Sequence, residues 1–123
     1  MNLNQVTISV EDFDASFEFY KNLGLEPIVK SKHYARFADD SGTTFSIHKK
    51  DESFSGTVIY FECKDLDAKV TQLKSKGLEF IDELENKQWL WREIHLKDPD
   101  KNVLCLYFAG ENRLNPPWKL NQK

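Results

Sequence analysis

Residues 6–26 read VTISVEDFDASFEFYKNLGLE, and residues 59–79 read IYFECKDLDAKVTQLKSKGLE. At an offset of 53, Asp12 aligns with Asp65, Asp14 with Asp67, and Gly24-Leu25-Glu26 with Gly77-Leu78-Glu79. Each copy is a strand-like run, an Asp-x-Asp helix start, a helix and a glycine stop. A unit this long is a supersecondary module rather than a solenoid repeat. Two modules in one short chain predict pseudo-twofold symmetry and a cleft between them, the natural place for a ligand.

Outward from the repeat, Val6, Ile8 and Val10 alternate with Gln5, Thr7 and Ser9, which predicts a half-buried strand over 4–10. Asp12 or Asp14 caps a helix carrying Ala15, Phe19, Tyr20 and Leu23, stopped at Gly24. Strands follow near 26–31, 34–38 and 43–49, with Asp39-Asp40-Ser41-Gly42 as a turn. Charge, serine and glycine mark 50–56 as the linker. The second module predicts a strand at 57–63, a helix over 65–76, and strands near 78–82, 88–96 and 102–108. The last two are joined by Asp98-Pro99-Asp100-Lys101. The order is βαβββ, twice. The expectation is an α+β fold: one domain over 1–123, with module one at about 1–50, module two at about 57–109 and a tail at 110–123. The tail carries Pro116-Pro117-Trp118 and reads as a flap or a frayed end; a tryptophan that is costly to expose favours the flap. The linker permits the modules to pair within one chain or to swap between chains.

A chain of 123 residues is long enough to bury roughly two-thirds of its unfolded surface, so it needs no disulfides. Cys63 and Cys105 lie in apolar runs and are too few for a secreted scaffold, which predicts reduced thiols and a cytoplasmic protein. No apolar stretch reaches membrane-spanning length, and the N-terminus lacks a signal-peptide pattern. The net charge of −3, with no block of lysine or arginine, argues against nucleic acid and anionic membranes as partners.

Helices on one face of the sheet divide each strand by parity. Val6, Ile8, Val10, Phe45, Ile47, Ile59, Phe61, Cys63, Leu90, Ile94, Leu96, Leu104, Leu106 and Phe108 go to the helices. The other face receives Gln5, Thr7, Ser9, Thr44, Ser46, His48, Val58, Tyr60, Glu62, Trp89, Trp91, Glu93, His95, Val103, Cys105 and Tyr107. A mixture of Trp, Tyr, His, Glu and Gln suits a wet pocket for a flat or polar ligand. The predicted ligand-binding set is Gln5, Ser46, His48, Tyr60, Glu62, Trp89, Trp91, Glu93, His95, Cys105 and Tyr107. Glu93 and His95 share a strand face and are the candidate acid–base pair. Their spacing is also common by chance, and hydrogen-bonding or rim roles are the blander reading. Trp89 and Trp91 suit a stacked ligand and equally a dimer interface. Cys105 has no basic neighbour in the sequence and reads as a neutral buried thiol. Arg92 falls on the helix side by parity, marking a bulge or an ion pair.

The stretches VTISVEDFDASFEFYKNLGLE and WREIHLKDPDKNVLCLYF together resemble the vicinal oxygen chelate superfamily of glyoxalases, bleomycin-resistance proteins and extradiol dioxygenases. Asp12, Asp14, Ser16, Phe19, Tyr20, Leu23 and Gly24 resemble its opening motif. Asp98-Pro99-Asp100-Lys101-Asn102 resembles its D-P-D-G-N turn with Lys101 in place of Gly. The resemblance implies two βαβββ modules curving a mixed sheet around a cleft. Its metalloenzymes bind a divalent ion through four strand positions, usually His or Gln, Glu, His and Glu. These fall on Gln5, Ser46, Val58 and Cys105. Serine is a poor donor and valine is none, whereas such an ion needs several converging His or carboxylate groups. No metal site is therefore expected there, and no cofactor; a divalent metal is not supported by this ligand set.

The fold alone does not fix function. The leading expectation is metal-independent binding of a small aromatic or polar molecule by a homodimer, as in the bleomycin-resistance branch. One alternative is an enzyme of the superfamily, a lyase, isomerase or dioxygenase, with an atypical metal or Glu93/His95 chemistry. Another is a structural or regulatory module whose aromatic face only forms an oligomer.

Overall fold

Alternating strands and aspartate-started helices give the doubled order. In the computed structural model, which describes residues 1–120, β1 (Asn2–Val10) leads into α1 (Phe13–Leu23), then β2 (Glu26–Lys30), β3 (Tyr34–Ala38) and β4 (Thr44–Lys49). The second module follows with β5 (Thr57–Glu62), α2 (Leu66–Ser75), β6 (Glu85–Asn86), β7 (Arg92–Lys97) and β8 (Val103–Phe108). All strands join one sheet in the order β2-β3-β4-β1-β5-β8-β7-β6.

Within the modules β1 pairs parallel with β4, and β5 with β8. The modules meet within one chain through the antiparallel β1–β5 ladder. Its register reproduces the sequence repeat. Val6 pairs with Ile59, its own counterpart at offset 53, while Gln5–Tyr60 and Thr7–Val58 are exchanged by the same twofold. The pseudo-twofold axis therefore passes between Val6 and Ile59. A bulge breaks it, because Leu3 pairs with Phe61 and Gln5 with Tyr60, leaving Asn4 as the extra residue. The bulge turns Asn4 inward, and both Asn4 and Gln5 are buried.

Each helix covers its own core. Phe13 and Phe17 of α1 pack on Ala35, Phe37 and Ile47, with Ile8, Val10, Tyr20 and Phe45 around them. Leu66 and Val70 of α2 pack on Cys63, Ile94, Leu96 and Leu106. The helix-side parity thus holds along the strands. It fails at Leu90, which lies before β7 in a turn with φ of 69° and is exposed, and at Phe108, which is exposed at the end of β8 and joins neither helix-side core.

The apolar stripe of α1 differs from the expected one. Asp12 is the N-cap, its carboxylate accepting from the Ala15 amide at 3.0 Å. That phase turns Phe13, Phe17 and Tyr20 to the sheet, at spacings of four and three residues. Phe19 and Leu23 fall on the outer side and are exposed. Gly24 ends the helix as a left-handed cap. In α2, Asp65 makes no side-chain cap. Arg92 instead forms a two-pronged ion pair with Asp67, at 2.9 and 3.0 Å. The ion pair is thus what Arg92 marks on the helix side.

Two strands also depart from expectation. No strand forms at 78–82: Phe80 and Leu84 of this segment pack against the α2 core, and the edge strand is only Glu85–Asn86. The strand expected at 88–96 begins at Arg92, since the Leu90 amide donates to the Lys87 carbonyl and closes a turn. The tail is an ordered flap to residue 120. It makes a 3-10 turn at Gly110–Asn112, packs Leu114 on Ile28, Val29 and Ala38, and donates from the Leu120 amide to the Ile28 carbonyl. Pro116 is buried, but Trp118 remains exposed, contrary to the argument that favoured the flap. Residues 121–123 of the expected tail lie outside the described residues.

The turn between β7 and β8 is closed by Asp98, which accepts from the amides of Asp100 and Asn102 and from the Asn102 side chain. Lys101 there adopts φ of 69°, the left-handed conformation that suits the glycine it replaces. Lys101→Gly is expected to stabilise the protein by about 0.5–1 kcal/mol, the relief of backbone strain outweighing the added freedom of the unfolded chain. Urea denaturation of the two proteins checks this.

Candidate functional site

The face opposite the helices curls. Arg36 of β3 and Trp91, just before β7, stand five strand spacings apart in the sheet order. In a flat sheet that is roughly 24 Å. The Arg36 guanidinium nevertheless lies 4.6 Å from the Trp91 ring centroid. The sheet therefore folds round into a trough whose two walls touch across it.

The trough is filled by its own side chains. Trp91 stacks on Tyr107 at 4.7 Å, and Tyr60 meets both rings edge-on at 5.9 and 5.4 Å. Arg36 donates to the Tyr34 hydroxyl at 3.0 Å and to the tail carbonyls of Asn112 and Arg113 at 3.3 and 2.9 Å. All three acceptors are neutral. Arg36 is 2% exposed and Trp91 3%. The Trp91 indole also donates to the Asn112 carbonyl. Glu62 anchors the start of the tail, accepting from the Ala109 and Gly110 amides at 2.8 and 2.9 Å and from Asn4 at 2.9 Å. Asn4 in turn accepts from the Tyr107 hydroxyl. Arg113 donates to the Gly42 carbonyl at 2.7 Å, fixing the tail across the first module. A wet, open pocket was the expectation; tail and Arg36 together close it.

On the trough floor the Gln5 amide nitrogen donates to Ser46 at 2.9 Å, Thr7 at 3.0 Å and the Val6 carbonyl at 3.2 Å. The Val6 carbonyl can only accept, which favours this orientation of the amide, whose two hydrogens are shared among the three acceptors. The Gln5 Oε1 atom is then buried with no hydrogen-bond partner. Ser46 continues the chain to Tyr34 at 2.7 Å.

A second cluster lies on β7 and β8. Glu93 Oε2 accepts from the Trp89 indole at 2.6 Å, and Glu93 Oε1 stands 3.6 Å from His95 Nε2 and 3.8 Å from Cys105 Sγ. Asp82 accepts from both His95 Nδ1, at 2.8 Å, and the His95 amide, at 2.7 Å. Burial raises the Glu93 carboxyl above its ordinary range, against the pull of Trp89, His95 and Lys87. Burial and then the Glu93 charge push the Cys105 thiol far up, which keeps it neutral and a poor nucleophile. Burial likewise raises the Tyr60 and Tyr107 hydroxyls, keeping both protonated.

The structure brings Gln5, Ser46, Tyr60, Glu62, Trp91, Glu93, Cys105 and Tyr107 onto one face. His95 flanks them. Trp89 is in the turn rather than on the strand, and reaches the site through its indole nitrogen. His48 sits apart at the rim, stacked on Phe54 at 4.9 Å and holding the Lys49 carbonyl at 2.8 Å. Besides Asn112 and Arg113 of the tail, four participants were not singled out in the sequence. Arg36 and Tyr34 were findable, since both alternate with the apolar Ala35 and Phe37 along β3. Asn4 enters only through the bulge, and Asp82 only through a coil. Of the four positions that hold the metal in related metalloenzymes, Gln5 is engaged with hydroxyls, Ser46 is one of them, and Val58 packs beside the aromatic cluster. That donor set does not fit the ion.

Known proteins share this architecture. An uncharacterized Bacillus subtilis (strain 168) protein, YraH, is 27% identical over 126 residues, covering 87% of this chain and 98% of that one. The structure of a protein described as an NAD-dependent benzaldehyde dehydrogenase from Legionella pneumophila superposes with a TM-score of 0.71 at 24% identity, over 86% of this chain and 98% of that one. A Mn(II)-bound glyoxalase from Novosphingobium aromaticivorans superposes with a TM-score of 0.67 at 20% identity, over 99% of this chain and 42% of that one. At such identities the two structures establish the fold alone. The family model for the Glyoxalase/Bleomycin resistance protein/Dioxygenase superfamily matches residues 2–106, and the chain belongs to that superfamily.

Proposed function

We propose that the protein binds a small aromatic or polar molecule in the trough, independently of the four-position metal centre of its superfamily. The observation that carries this is the unpaired Gln5 Oε1 atom, placed by the Gln5–Tyr60 register beside the aromatic wall. A buried acceptor without a partner is unfavourable by about 1–3 kcal/mol, and such groups ask for a donor. A ligand N–H or O–H supplies one. The wall of Trp91, Tyr107 and Tyr60 supplies stacking area, now taken by the planar guanidinium of Arg36. Binding then means exchange of the ligand for Arg36 and the tail. The same reading makes the protein a cytoplasmic homodimer. Its cysteines are free and buried, and Phe19 and Leu23 lie exposed one turn apart on α1.

Acid–base chemistry at Glu93 and His95 is a second reading, favoured by the Asp82 carboxylate that orients the imidazole. Recovery of the ligand separates the two: binding returns it unchanged, whereas turnover does not.

Titration of intrinsic tryptophan fluorescence with small phenols, aromatic acids and aromatic amines tests the proposal. Saturable quenching is expected, largely lost in Trp91→Phe and about tenfold weaker in Gln5→Leu, a change of about 1.4 kcal/mol. Absence of saturable quenching, or full quenching in Trp91→Phe, overturns it. In the free protein, Arg36→Met leaves the Arg113 carbonyl without the Arg36 donor and the Asn112 carbonyl with the Trp91 indole alone. Destabilisation of about 2–4 kcal/mol is expected, with faster amide exchange across 109–120 by mass spectrometry.

A further inference from the structure

The geometry points to a three-donor site for a zinc-class divalent cation formed by Glu93, His95 and Cys105. Only Cys105 belongs to the four strand positions used by the superfamily's metalloenzymes; Glu93 and His95 come from β7, outside that set.

The spacing of the donors fits an ion. Glu93 Oε1 lies 3.6 Å from His95 Nε2 and 3.8 Å from Cys105 Sγ, and all three donor atoms lie within 4.8 Å of one another. A tetrahedral ion with bonds of about 2.0 Å to nitrogen or oxygen and about 2.3 Å to sulfur holds its donors roughly 3.3–3.6 Å apart. Both measured edges are within a few tenths of an ångström of that, while the His95–Cys105 edge, up to 4.8 Å, closes by about 1 Å as the partly exposed His95 ring turns toward the ion. Binding the ion displaces the Cys105 proton to solvent, and imidazole, carboxylate and the resulting thiolate together select a borderline ion such as Zn(II) over Mg(II) or Ca(II), which take oxygen donors. Three protein donors leave a fourth position open, the arrangement of a site that takes water or a ligand atom.

The outer contacts are already in place for such a site. Asp82 accepts from His95 Nδ1 and from the His95 amide, so Nδ1 carries a hydrogen and Nε2 faces Glu93 Oε1. The Trp89 indole occupies Glu93 Oε2, and Oε1 faces the Cys105 thiol and His95, the two other donors. A carboxylate behind a ligating imidazole, and a donor behind a ligating carboxylate, are the usual supports of metal ligands. Glu93 and Cys105 are closed from water, at 3% and 0% exposure, while the His95 side chain keeps 20% of its surface open and provides the way in.

The site stands independently of the small-molecule reading, and its test is chosen accordingly. The full chain, purified without chelator or metal-affinity tag, is analysed for zinc by mass spectrometry and titrated with Co(II) while absorbance is recorded. About one Zn(II) per chain is expected, with a Co(II) spectrum containing a thiolate charge-transfer band. Cys105→Ala and His95→Gln abolish both signals. Asp82→Asn lowers affinity about 10–100-fold. Gln5→Leu leaves metal uptake unchanged, so loss of ligand binding and loss of metal binding are read apart. His95→Gln alters a partly exposed side chain, so it serves if Cys105→Ala does not fold, as checked by circular dichroism. Wild-type uptake no greater than that of His95→Gln, or a Co(II) spectrum without the thiolate band, overturns the proposal.

Discussion

The antiparallel ladder between β1 and β5 is the constraint on which the molecule depends. Neither module closes a core with the other's helix: α1 covers one half of the sheet and α2 the other. Backbone pairing through Val6–Ile59 and its neighbours joins them, and the contacts across the trough and from the tail are built on it. That ladder places Gln5 beside Tyr60 and Thr7 beside Val58, so it creates the floor of the trough as well as the continuity of the sheet. A slip of one residue would turn the whole apolar set of β1 away from α1. The alternation of Val6, Ile8 and Val10 guards against it.

The frame was largely legible in the sequence because the frame is local. Asp12, Gly24 and the alternating strands encode their structure within a few residues. The site was legible where strand parity applied, as with Gln5, Ser46, Tyr60, Glu93 and Cys105. It was hidden where parity was interrupted. The bulge at Asn4 and the turn at Lys87–Leu90 each reset the phase. Asp82 reaches His95 from a segment with no regular structure. The stripe on α1 was misassigned because two apolar sets of equal periodicity compete, Phe13–Phe17–Tyr20 and Phe19–Leu23. Only the cap at Asp12 and the packing on Phe37 decide between them. The closed trough was beyond reach of pattern, since a tail that crosses the sheet is a contact between distant segments.

The two halves share scaffold residues and diverge at functional ones. The aspartates that start the helices and the Gly-Leu-Glu stops recur. Gln5 is matched by Val58 under the twofold, and the buried Asn4 by the exposed Thr57. The chemistry-bearing groups accordingly gather on one side: Glu93, His95 and Cys105 all belong to the second module, while the first contributes hydroxyls, two amides and a guanidinium. Duplication supplied a symmetric container, and its contents are asymmetric.

The tail has a thermodynamic consequence for anything that enters the trough. If Arg36 and residues 109–120 must withdraw first, the open form is a minor population, and apparent affinity falls by the fraction that is open. Two molecules that make identical contacts with Trp91 would then differ in affinity if one also engages the displaced arginine. The same linkage runs in reverse: a partner that captures the free tail would raise affinity in the trough without touching it. Selectivity in such a protein resides partly in how tightly its own chain competes for the wall.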